Sequence, residues 1–290
     1  MLKMIWQKKA LILFLVVLVA LLPSALTRPA QMTTKAVLTE ITIDHQSGEY
    51  VLTGEMIDLN APADAESNTT TVTASAPSAA ECINKIATEQ GKQVSFAHCK
   101  YIVLGEGLAD EDVTGLLRYF LYRTELNNSC QISWKQKGDR TTIEQFFKDY
   151  LRAHSASVVA NGAFECAVFR DGKHAFDLDE TQTDALNFLL GKKIKRRLVH
   201  ENEVLHISRN SCKFKTSNGI TTVTIKIRAQ LESNPLATRA QLDAIEVALQ
   251  DKLREDVRDT LDVLYPRADI FDLKMNNPMF VIKIDISVNC

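Results

Sequence analysis

The stretch FAHCKYIVLGEG, residues 96–107, sets His98 beside Cys99. A thiol and an imidazole in hydrogen-bond reach make a nucleophile–base dyad, or part of a metal site. The local pattern argues against both. Tyr101 to Leu104, after Lys100, are aliphatic, aromatic or β-branched, and Gly105 and Gly107 follow. That pattern predicts a buried strand leaving for a turn. Neighbours on a strand point to opposite faces, so His98 and Cys99 would face apart. Cys99 then packs as a small hydrophobe.

The other reactive residue types are no better clustered. The histidines stand at 45, 98, 154, 174, 200 and 206. Of these, His200 and His206 fall on one strand or on adjacent strands, and a metal there would need geometry that spacing alone does not supply. Asp177, Asp179 and Glu180 could act as paired carboxylates, but acids also favour a helix N-terminus, and a helix begins there. The cysteines, at 82, 99, 130, 166, 212 and 290, contain no CxxC and match no zinc spacing. Buried thiols are expected, with one or two disulfides as the alternative in an exported chain. GxSxG, HExxH, a phosphate loop and GxGxxG are all missing. The sequence therefore assigns no catalytic residue, no cofactor-binding residue and no metal ligand.

The elements that hold these residues are those of an α+β protein. Residues 36–44 and 50–58 read as strands joined by the five-residue loop HQSGE. Residues 60–79 are small and polar, a loop with a short strand at 71–75. Ser78 and Glu81 have capping-box spacing before a helix to about Gln90. A helix over 110–123, a strand over 130–135 and a helix from Thr142 to about Ala153 follow. A second unit begins near Gly162, with a strand over 163–170, a turn at Asp171-Gly172 and a helix over 179–190. Strands are expected at 195–199, 204–208 and 213–216. Asn218-Gly219 is a hairpin turn, followed by clean alternation over 223–231. A long helix runs from Pro235 to Tyr265 with Leu242, Ile245, Leu249, Leu253, Val257, Leu261 and Leu264 along one face. Packing on a sheet is expected of that face, with a coiled-coil seam as the alternative. A last strand alternates from Phe280 to Val288.

The 290 residues are 46% hydrophobic and 24% charged, with a net charge of −2, so nothing suggests a nucleic-acid partner. The densest basic run is KKIKRR, 192–197, a solvated strand entry or a patch for anionic lipid or a partner. At the N-terminus, Lys3, Lys8 and Lys9 precede an unbroken apolar run over 10–22. This is a signal peptide or an uncleaved signal-anchor, and it leaves residues 28–290 outside the cytoplasm.

Several stretches, in order, resemble the Ger(x)C family, the C subunits of nutrient germinant receptors in spore-forming bacteria. EITIDHQSGEYVLTGEMI (40–57) is similar to its first hairpin. VSFAHCKYIVLGEGLADEDV (94–113) is similar to its "fgHxkxiviGexla" segment, and LLRYFLYRTELNNSCQISW (116–134) to the helix and strand after it. AVFRDGKHAFDLDETQTDALNFLLGK (167–192) resembles its "avFkdgklvgxLxxxetxglxlLxGk" opening, and ADIFDLKM (268–275) its "DifGxg" turn. The resemblance implies two domains of mixed and antiparallel sheet packed with helices, at 28–135 and 163–290. They follow a signal or anchor over 1–27, and a shortened connecting region over 136–162 joins them. It implies no catalysis, and His98 matches a recurring histidine to which none is assigned. It implies a protein that works by binding and assembly with membrane-spanning A and B subunits, on the outer face of the spore inner membrane. Two departures stand out. The first cysteine is Cys82, so no lipobox cysteine is present and tethering falls to the apolar segment. The family's "DifG" glycine is Asp272. The rival expectations are a membrane-tethered scaffold outside germination and an envelope hydrolase using Cys or His, which requires a thiol with a depressed pKa.

Overall fold

A computed structural model describes residues 35–57, 69–138, 141–152, 156–191, 197–200, 203–234, 236–265, 267–273 and 279–289. The apolar run over 10–22, the 60–68 part of the polar loop, residues 192–196 of the basic run and Cys290 lie outside them. The described residues form two compact units.

The first unit takes the described residues up to Lys100 together with Tyr119–Asn127. Strands β1 (Lys35–Gln46), β2 (Glu49–Ile57) and β3 (Thr69–Ala76) form an antiparallel meander. The β1–β2 connection is tighter than the expected loop. Only Ser47 and Gly48 remain outside the strands, at φ 53° and 83°. Two positive φ values make the primed turn whose twist suits a hairpin. A bulge between Leu38 and Glu40 flips the parity of β1, so the buried set changes from Ala36 and Leu38 to Ile41 and Ile43. Strand β3 is longer than the short strand expected at 71–75. Helix α1 (Ala79–Gln90) follows, its N-cap Ser78 accepting from the Glu81 amide, and Gly91 ends it in the left-handed region. Strand β4 (Gln93–Ser95) pairs in parallel with the start of β1.

The second unit, Tyr101–Arg118 with the described residues from Asn128 onward, holds the rest. Its first sheet contains β5 (Tyr101–Leu104), β6 (Gln131–Trp134), β7 (Thr141–Thr142), β8 (Ala156–Asn161), β9 (Glu165–Arg170) and β10 (Lys173–Leu178). The β5–β6 and β6–β8 pairs are parallel, while β8–β9 and β9–β10 are antiparallel. Helix α2 (Val113–Arg123) begins in this unit, and α3 (Ile143–Arg152) supplies the crossover from β6 to β8. The sequence did not reveal β8. All six of its residues are buried, so it lacks the alternation that marks a half-buried strand.

Helix α4 (Glu180–Leu189) leads to a four-stranded sheet ordered β11 (Arg197–His200), β12 (Glu203–Ser217), β13 (Ile220–Leu231) and β14 (Met279–Asn289). Strand β12 is one continuous element, not the two expected at 204–208 and 213–216. A bulge at Ser208 shifts the inward parity between Ile207 and Arg209, and that break reads in the sequence as a gap between strands. Helix α5 (Arg239–Leu264) crosses from β13 to the parallel β14. It starts at a Thr238–Gln241 capping box, four residues after the expected start at Pro235. Leu242, Leu249, Leu253, Val257 and Leu261 join inward residues of β12, β13 and β14 in one core. The sheet-packing expectation therefore holds over the coiled-coil seam. Each such side chain contributes roughly 1.5–3 kcal/mol on burial, which outweighs any propensity of the exposed face.

Candidate functional site

The His98–Cys99 pair is not on a strand. Both precede β5 in a turn, where the Cys99 amide donates to the Phe96 carbonyl at 2.9 Å. Their side chains still separate, with His98 exposed and Cys99 buried. Cys82, Cys99, Cys130 and Cys166 are buried and Cys212 is half-buried, all as thiols. Burial pushes the Cys82 thiol up and the Cys212 thiol up to about 12. That is opposite to the depression a nucleophilic cysteine needs.

The acids at 177–180 part company. Asp179 is the N-cap of α4 and makes a full capping box with Gln182. Asp177 turns instead to His174, whose Nε2 lies 2.9 Å from Asp177 Oδ1. The register sets His206 opposite Arg197 and His200 opposite Glu203, so the two histidines are not cross-strand partners. Among the described residues no group of three or more His, Cys, Asp and Glu side chains is placed to hold a metal ion.

What the tertiary structure does bring together is a polar cluster over Trp134. The Trp134 ring is fully buried, stacks on His174 at 4.8 Å between centroids, and meets Phe169 edge-on at 5.2 Å. Its Nε1 has no hydrogen-bond partner among the described residues. Lys135, held at φ 54°, places its Nζ 3.0 Å from Glu106 and 3.2 Å from Asp177. The hydrogen bond to Glu106, and then that to Asp177, hold the Lys135 ammonium above its usual pKa. The same corner ties the chain together through the backbone. The Val113 amide donates to the Gly172 carbonyl at 2.8 Å, and the His174 amide to the Ala109 carbonyl at 3.1 Å. Gly172, at φ 83°, lies so close to α2 that a Cβ would come within 2.5 Å of Asp112 Oδ1. Asp112 caps α2 by accepting from Thr114 Oγ1 and the Gly115 amide. Burial alone would raise its pKa, but those hydrogen bonds outweigh it and hold the carboxyl below its usual value.

The IVLGEG and FRDGKHAF segments, 65 residues apart between Gly107 and Gly172, are thus the two halves of one joint. Sequence reasoning found both segments but not Glu106, Trp134 or Lys135 as a set. The signal was a Trp-Lys pair at a strand end beside two motif-bearing segments. Lys135 bridges Glu106 and Asp177 over packed aromatic rings, an arrangement that ties the β5, β6 and β10 segments together.

The fold and this corner define a class, an α+β protein in which motif residues mate with one another around packed aromatics. The comparisons with known proteins narrow it. Residues 30–134 match the family described as "Spore germination protein N-terminal domain", and residues 165–288 match "Spore germination B3/ GerAC like, C-terminal". A solved structure described as "Crystal Structure of the GerBC protein" superposes at a TM-score of 0.53 with 16% identity, covering 86% of this chain and 96% of that one. No curated relative matches. The chain belongs to the Ger(x)C family of spore germination proteins, and the expected α+β class with mixed sheets holds. Asp272 lies at a φ of 55°, in the left-handed region that favours glycine.

Proposed function

We propose that this protein is the membrane-tethered C subunit of a nutrient germinant receptor, acting by binding and assembly with membrane-spanning A and B subunits. The observation that carries the proposal is the pair of family matches, in order, over 30–134 and 165–288. In this reading the regions 28–135 and 163–290 are the two germination-protein domains, and 136–162 joins them. The N-terminal apolar run over 10–22 holds them at the outer face of the spore inner membrane. No helix of the described residues is long and apolar enough to cross a membrane, so in this reading the tether falls to that run. Raised thiol pKa values at Cys82 and Cys212 support binding over thiol chemistry.

The test is deletion of the gene followed by dipicolinic-acid release from purified spores. Nutrients are given to one set and a trigger that bypasses receptors to another. Loss of the nutrient response alone is expected. Normal release under both conditions means either a second receptor acting in parallel or a chain that has left germination, and it moves the tethered scaffold ahead.

A further inference from the structure

The four-stranded sheet has two unlike faces. Its inner face is the core under α4 and α5. Its outer face follows from the register, in rows that run across β12, β13 and β14. Arg209 lies opposite Arg228, which neighbours Ser287. Ser211 lies opposite Lys226, which neighbours Asp285. Lys213 lies opposite Thr224, which neighbours Lys283. Lys215 lies opposite Thr222, which neighbours Val281. These rows carry six cations and one acid, in a chain whose net charge is −2. Among the described residues only Lys226 has an acid partner on this face, Asp285 at 3.4 Å.

Nothing in folding asks for this arrangement. Like charges directly opposite in an antiparallel pair, as at Arg209 and Arg228, destabilise the pair. The face also changes character at one end. Ile220, Met279 and Val281 are 40%, 69% and 42% exposed there, side by side at the hairpin tip. Apolar tips next to lysines, with small polar Ser and Thr between the cations, suit an interface that is anionic on its surface and apolar just beneath. The face has no Trp, Tyr or Phe to act as the buried anchor of a protein interface.

We propose that this face rests on a bilayer containing anionic lipid. The six cations would lie over the headgroup phosphates, with the Ile220, Met279 and Val281 tip in the interfacial zone. This rests on the reading above only in placing the chain at a membrane. A single apolar segment plus a basic patch is the kind of double attachment that gives stable peripheral contact. Near an anionic surface each Lys or Arg strengthens binding about fivefold.

The test is lysine footprinting with a membrane-impermeant acylating reagent. The full chain is reconstituted in vesicles of phosphatidylcholine alone or mixed with phosphatidylglycerol, and labelling is read by mass spectrometry. Lys213, Lys215, Lys226 and Lys283 are expected to lose several-fold of their labelling in the anionic vesicles, and to regain it in high salt. Lys148, exposed on α3, serves as the internal control. The triple substitution Lys213→Glu, Lys226→Glu and Lys283→Glu is expected to abolish the difference at Lys215. Equal labelling in the two kinds of vesicle overturns the proposal. Protection that appears only in native spore membranes, whatever the lipid charge, overturns it in favour of an acidic protein partner. A strain that germinates normally without the gene would leave the footprint unchanged and count against the receptor reading alone.

Discussion

At the Trp134 corner, Lys135 sits between Glu106 and Asp177, at 3.0 and 3.2 Å, over a buried aromatic floor. On the outer face of the β12–β14 sheet, Lys213, Lys215 and Lys283 stand in rows with no acid partner among the described residues. Both regions belong to the same unit, and both use lysine at or beside strand positions. At the corner the cation's neighbours come from β10 and from the turn after β5, so its charge serves the joining of those segments. On the open face the neighbours are other cations and small hydroxyls, so the charge faces outward. A count of charged residues would score the two alike, but their partners separate them.

Stability measurements separate the two regions. Trp134→Ala removes the floor of the corner and is expected to cost ~3–5 kcal/mol in denaturant unfolding. A loss no larger than that of an exposed substitution would end the claim that the corner is structural. Gly172→Ala should cost about 1–3 kcal/mol, since it meets both a left-handed φ and a contact with Asp112. Loss of less than about half a kcal/mol would mean that the close approach relaxes freely.

Asp112, beside Gly172 at the corner, makes stability depend on pH. Its folded-state pKa lies below the unfolded value, so its stabilisation is full above the ordinary aspartate pKa of about 4 and is lost as pH falls through the folded value. Asp112→Asn is therefore expected to lower the melting temperature near neutral pH, with the two melting curves converging in acid. Parallel curves at every pH would mean that the carboxylate contributes nothing through its charge. Asp272→Gly supplies the residue that a φ of 55° favours, and a gain of about 0.5 kcal/mol is expected. On the open face, Lys213→Glu with Lys283→Glu should change stability by no more than ~0.5 kcal/mol. A larger loss would show that those cations serve the fold after all.

Much of the architecture was legible in the chain itself. The alternation of β13 and β14, the Asn218-Gly219 turn, the Asp179 cap and the apolar line of α5 are each set by a few neighbouring residues. Local backbone geometry couples such residues directly, through period-2 and period-3.6 spacing and through positive φ. The order of motifs also carried the family. Other features needed the folded chain. Strand β8 is buried on both faces, so its sequence has no period to read. The bulge in β12 moved the inward set by one residue and disguised one strand as two. The Trp134 corner joins residues from 106 to 177, which no local pattern links. The basic face is spread over three strands in which the cations are separated by inward-facing residues, so no run of charge appears in the sequence. Only strand register lines those cations up, because lateral pairing in a sheet sets side by side residues that the chain keeps far apart.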